Sequence, residues 1–96
     1  MKVIWSPLSL DRVTEIAKYI AEENKSAAIE LVEHLFSRVD QLGKYPESGQ
    51  VVPELDRSEI RQLVDSNYRI VYRVEVDNIA ILTVRHHRQI LTEDDI

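Results

Sequence analysis

The fold this sequence predicts is α+β, in the order β-α-α-β-β-β, with an antiparallel sheet packed by an N-terminal helical hairpin. Three observations predict it. Apolar residues recur at helical spacing from Leu10 to Leu42 with one short interruption, the period changes to two from Tyr68 onward, and the stretch Ile79 to Val84 is apolar at nearly every position. The 96 residues suffice for one modest core, so the reading is a single domain spanning residues 1–96. An antiparallel sheet buries one face only if something lies across it, and the hairpin is the element available to do so.

Val3, Ile4 and Trp5 form a short β-prone stretch that Ser6 and Pro7 interrupt. Ser6 can cap a helix and Pro7 is preset for its first turn. Leu10, Val13, Ile16, Ala17 and Ile20 then make one stripe, with charged residues on the remaining faces, up to Glu23 and Asn24. Ser26 is the expected cap of a second helix, in which Ala28, Leu31, Val32, Leu35, Val39 and Leu42 keep the period as far as Gly43. The link between the helices is too short for anything but antiparallel neighbours. Tyr45 to Leu55 carries Pro46, Gly49 and Pro53 and reads as an ordered loop. Glu59 to Val64 is a weakly patterned strand, and Tyr68 to Val76 alternates as a half-buried strand does. Asp77-Asn78 is the expected tight turn into Ile79 to Val84, a strand expected to be covered on both faces.

Composition narrows the function classes. Twelve basic against seventeen acidic side chains leave a net charge of −5, which argues against a broad basic face for nucleic acid. The absence of cysteine removes disulfides, thiol nucleophiles and thiolate metal sites, and suits the cytoplasm. The N-terminus has no long apolar run, so neither a secretory signal nor a membrane span is expected. With two glycines there is no glycine-rich phosphate loop. No cofactor and no metal ion is expected, since His-Glu-x-x-His and related spacings are missing.

The densest polar cluster is Arg85-His86-His87-Arg88-Gln89, placed where the last strand runs out. Two imidazoles and two guanidiniums there can hold phosphate and move protons, and Arg61 and Arg73 on neighbouring strands would extend a cationic cleft. Against that, consecutive strand residues face opposite ways, so His86 and His87 share a site only if the strand has ended. His34, mid-helix among apolar neighbours, reads as structural or interfacial, and Tyr68 and Tyr72 as core anchors. Glu54, Asp56 and the tail Glu93-Asp94-Asp95 read as solvated carboxylates.

The element order, Ser6-Pro7 with Ile16-x-x-Tyr19-Ile20, Ala27-Ala28 and Leu42-x-x-x-Pro46-x-x-Gly49 together resemble the RelE/ParE superfamily of bacterial toxins. Arg61 ahead of Tyr68-Arg69-Ile70-Val71-Tyr72, and Ile81-x-x-Val84-Arg85-His86-x-Arg88, complete the resemblance, which covers nearly the whole chain. It implies the toxin of a type II toxin–antitoxin module, encoded beside an antitoxin that wraps and neutralises it. The superfamily divides into RelE-like members, which cleave messenger RNA on the ribosome, and ParE-like members, which inhibit DNA gyrase by binding. His87 matches a position where some RNase members carry a catalytic histidine, so the RNase reading would use His87, Arg61, Arg85 and Arg88. Arg88 stands where several of those members have an aromatic residue, and Gly49-Gln50 where Gly-Arg is common. Together with the net charge of −5, these departures favour the ParE-like branch, a binding inhibitor with no catalytic residues. On that reading Arg85, His86, His87 and Arg88 contact gyrase. Leu31, Leu35, Phe36, Arg61 and Arg73 face a ParD-like antitoxin, whose amphipathic helix would insert into a groove between hairpin and sheet. DNA would be reached only through the antitoxin.

Overall fold

In the computed structural model, which describes residues 1–96, strand β1 (Lys2–Trp5) leads into helices α1 (Pro7–Ala21) and α2 (Lys25–Asp40). Strands β2 (Gln50–Val51), β3 (Ile60–Asp65), β4 (Tyr68–Val74) and β5 (Asn78–His86) follow, with 3-10 turns at Gln41–Gly43 and Glu93–Asp95. The five strands form one sheet in the order β1-β5-β4-β3-β2. The α+β order and the helical hairpin over the sheet match the sequence reading. The sheet is antiparallel from β2 to β5, and β1 adds a parallel edge with Lys2 opposite Asn78 and Trp5 opposite Ile81. The hairpin carries the chain from that edge to the opposite one, and β5 returns beside β1.

Ser6 fastens the hairpin to the sheet. Its backbone N–H donates to Ile81 O, its hydroxyl donates to Leu82 O at 3.0 Å, and the same oxygen accepts the Ser9 N–H as the cap of α1. One residue thereby ends β1, starts α1 and ties both to β5. The main core lies between hairpin and sheet and is built by Val13, Leu35, Val39, Leu42, Leu63, Ile70, Tyr72, Ile79, Ile81 and Val84. The opposite face carries a second cluster of Val52, Ile60, Val71, Leu82 and Leu91. A bulge explains the unbroken apolar run of β5. Val71 faces Thr83 while Tyr72 faces Ile81, so Leu82 is the extra residue. Ile79 and Ile81 therefore point to the hairpin, Leu82 to the second cluster, and Val84 to the hairpin again.

Several local expectations need correction. The cap of α2 is Asn24, whose side chain accepts the Ala27 N–H at 3.0 Å, and Ser26 lies inside the helix. Both are good capping residues; the extended backbone at Asn24 (φ −152°) decides between them. Asn24→Ala should therefore cost about 1 kcal/mol in chemical denaturation, whereas Ser26→Ala should be close to neutral. The β4–β5 turn sits one residue earlier than expected: the Glu75 N–H donates to Asn78 O, and neither central residue, Val76 or Asp77, has positive φ. Val76-Asp77 thus makes the turn, Asn78 already opens β5, and the left-handed backbone that suggested Asp77-Asn78 is not used. The loop from Tyr45 contributes the short β2 and buries Val52 in the second cluster. Asp95 is buried rather than solvated, since its carboxylate accepts the Thr92 N–H and lies between Arg12 and Arg85. Leu35, expected at the antitoxin surface, is fully buried, and the expected groove between hairpin and sheet is filled by the main core.

Candidate functional site

β1 pairs with β5 only along Asn78–Ile81, which leaves Leu82–His86 without a strand neighbour on that side. α1 crosses there, and the result is a cleft of about 310 Å³ lined by Arg12, Ile16, Tyr19, Tyr68, Arg85 and His86, among others. Tyr68 and His86 are cross-strand partners, and their rings meet edge to face with centroids 5.9 Å apart. β5 ends at His86, and the next ring, His87, stacks on it at 4.6 Å with planes 28° apart. The condition for two adjacent histidines to share a site is met.

Backbone contacts assign distinct roles to the two imidazoles. His86 Nδ1 accepts the Arg88 N–H at 3.2 Å, so its neutral ring carries the proton on Nε2. His87 Nδ1 lies 3.1 Å from Asn67 O, and because a carbonyl only accepts, the neutral ring keeps its proton on Nδ1 and leaves Nε2 bare. The His87 N–H also donates to Asn67 O, and the His86 N–H to Gln89 Oε1. Asn67 and Gln89 therefore position the pair. Gln89 belongs to the polar cluster already visible in the sequence, whereas Asn67 carried no signal there, being an ordinary turn residue.

The arginines do not assemble as the sequence suggested. Arg69 and Arg85 are direct cross-strand neighbours, an arrangement that repels unless each has its own anion. Arg69 pairs with Glu54, and Arg85 Nε lies 3.7 Å from Asp95, which Arg12 also approaches at 3.8 Å. Arg61 faces Tyr72 on the hairpin side, and its Nη1 donates to Gly49 O at 2.9 Å. Tyr72 and Tyr68 are four residues apart on β4, so Arg61 is separated from the His87 end of the sheet by about 14 Å. Arg73 is one rung further away, on the other face, beside Glu75 at 3.4 Å. Arg85, His86, His87 and Arg88 thus stay together, while Arg61 and Arg73 belong to neither that cluster nor to each other.

Glu54 and Asp65 are both held below the ordinary carboxylate range by cationic partners. The Arg69 guanidinium holds the Glu54 carboxyl down to about 2 against the opposing effect of its burial, with help from the Leu91 N–H. Glu54 is an ion-pair anchor, not the solvated group expected. Asp65 accepts from His34 Nε2 at 2.8 Å and from Arg38 Nε at 2.7 Å. Burial pushes its pKa up, but bonds from His34, Ser66 and Arg38 outweigh that and leave it lowered. His34 thereby gets the structural role expected of it. Of the residues assigned to an antitoxin surface, Leu31 packs half-buried against the main core, and Phe36 lies with its ring 4.6 Å from that of Trp5. No cluster of three or more His, Asp or Glu side chains suits a metal ion. No helix is long and apolar enough to cross a membrane.

A family model described as the ParE toxin of the type II toxin–antitoxin system parDE matches residues 3–91. The chain belongs to the ParE toxin family. A curated relative is Y4kP of Sinorhizobium fredii (strain NBRC 101917 / NGR234), named provisionally as a toxin. It is 35% identical over 88 residues, covering 92% of this chain and 90% of the relative. Among solved structures, a chain of the chromosomal ParDE TA system from P. aeruginosa superposes with a TM-score of 0.74 over 90% of this chain and 95% of that one. At 19% identity that likeness concerns the fold. As a ParE-family toxin of a type II module, the chain keeps the helical hairpin and sheet described above, with Tyr68 and the Arg85 to Arg88 run at one end.

Proposed function

We propose that this ParE-family toxin inhibits DNA gyrase by binding it through Arg85, His86, His87 and Arg88, and that a ParD-like antitoxin neutralises it. The observation that carries the choice of a binding mechanism is the dispersal of the cationic set. Arg61 is spent on the Gly49 carbonyl at the far end of the sheet, so no phosphate cradle surrounds His87. The net charge of −5 supports the same choice, because a toxin working among ribosomal phosphates gains from each added cation. For the antitoxin, Leu31 and Phe36 offer apolar contact, with Leu35 supporting them from below and Arg61 and Arg73 as outlying cations. Purified toxin should abolish gyrase supercoiling and accumulate cleaved DNA, and Arg88→Glu, which reverses an exposed charge, should raise the inhibitory concentration about tenfold. Supercoiling that continues unchanged sinks this reading.

The bare Nε2 of His87 favours a second reading, a ribosome-dependent endoribonuclease with His87 as acid or base and Arg85 and Arg88 holding phosphate, Arg61 standing outside that set on the Gly49 carbonyl. On that reading, messenger RNA in a translating extract is cut by the wild-type chain and left intact by His87→Ala. A gyrase inhibitor cuts nothing in either form.

A further inference from the structure

The outer side of the helical hairpin, away from both the sheet and the His86 cleft, carries an apolar groove of about 560 Å³. It runs between the end of α1 and the first half of α2, with Ala17, Ala21 and Val32 among its lining residues. Ile29 stands in it with 59% of its surface exposed, an unusual position for an isoleucine on a helix whose other stripe is fully committed to the core. Lys25 and Glu33, four residues before and four after Ile29, line the same groove. Neither forms an ion pair within the chain.

We propose that this groove is a self-association surface, occupied by the same groove of a second copy of the chain across a two-fold axis at Ile29. When two copies of α2 pack antiparallel about that axis, each residue beyond Ile29 faces the one equally far before it. Lys25 then meets Glu33 of the second copy, Glu33 meets Lys25, and the apolar centre closes over Ile29 on Ile29. The pattern is self-complementary in both charge and hydropathy, as an isologous contact requires. The alanines along the groove let the helices approach near the short end of the usual 8–10 Å spacing, as estimated for helix pairs in general. One helix pair buries less than the roughly 1,200 Å² of a standard interface, so the dimer is weak, with a dissociation constant on the order of micromolar. The proposal is independent of whether gyrase is the target.

Sedimentation equilibrium of the purified full chain tests it, with two exposed charge variants that leave the core untouched. Lys25→Glu and Glu33→Lys each place two like-charged pairs across the axis, so each should weaken the dimer about tenfold or more. An equimolar mixture of the two variants restores both opposite pairs and should regain wild-type association as a heterodimer. The double variant, with both charges swapped, should also regain it. A wild-type chain that stays monomeric at the highest attainable concentration overturns the proposal, and so does a dimer indifferent to both variants. If the chain is monomeric alone and Lys25→Glu instead weakens its complex with the antitoxin encoded beside it, the groove belongs to the antitoxin and the proposal fails.

Discussion

Arg69→Ala should lower the free energy of unfolding by about 2–4 kcal/mol, measured by urea denaturation at pH 7. The side chain is only 7% exposed and donates to both Glu54 oxygens, to Gln62 Oε1 at 3.1 Å and to the carbonyl of Gln89. Removing it leaves the Gln62 amide oxygen and the Gln89 carbonyl without this donor, and Glu54 with the Leu91 N–H but no counter-charge. Arg69→Met strands the same acceptors but keeps the packing of the apolar stem, so it should cost somewhat less than Arg69→Ala. The effect reaches the candidate site through Gln89, which Arg69 holds by its carbonyl and which in turn receives the His86 N–H. The Arg69 variants should therefore loosen the turn that carries His87 and Arg88.

The same ion pair sets an acid limit. Glu54 has a folded pKa of about 2 against an ordinary 4.5, so its contribution is complete above pH 4.5 and is lost as pH falls toward 2. With a quarter of the side chain exposed, the loss amounts to about 2 kcal/mol. Glu54→Gln should be less stable than wild type at pH 7 and should show a shallower decline between pH 4.5 and pH 2. Part of the decline remains, since Asp65 is also held below its ordinary range and loses its bonds to His34 and Arg38 in acid.

How far the sequence reaches depends on the range of the physics involved. Periodicity is local, so both helices, the alternation of β4 and the apolar run of β5 were legible, and so was the family. The bulge at Leu82 was not, because an apolar residue beside another apolar residue leaves no break in the pattern. The site was legible as a cluster but not as a geometry. Arg85 to Arg88 are neighbours in the chain and stay neighbours in space, whereas placing Arg61 and Arg73 beside them needed the register of three strands. The carboxylates misled for the same reason. Glu54 and Asp95 look solvated in a charged loop and a charged tail, and only the juxtaposition of Arg69 with Arg85 across β4 and β5 explains why each is drawn in.

Gly49→Ala should destabilise the protein by about 2–3 kcal/mol, as judged from the midpoint of chemical denaturation. A Cβ there would stand 2.5 Å from the Gln62 carbonyl oxygen and 2.5 Å from the Tyr72 hydroxyl. The first belongs to β3 and cannot withdraw without breaking the sheet; the second is itself the latch of the loop. Tyr72, wholly buried, donates to Pro46 O and accepts the Gly49 N–H, both at 2.9 Å. Burial raises its pKa above the ordinary 10.0, so the hydroxyl remains a donor at any physiological pH. Tyr72→Phe strands one carbonyl and one N–H and should cost about 1–3 kcal/mol. The two changes share a contact, so they should not add: in the double variant the hydroxyl that the new methyl would strike is gone, while the Gln62 carbonyl still stands in the way. A double-mutant cycle should give a total loss smaller than the sum by about 1 kcal/mol. Strict additivity would mean that the Tyr72 hydroxyl and Gly49 do not meet, and the loop from Tyr45 to Gly49 would need another anchor.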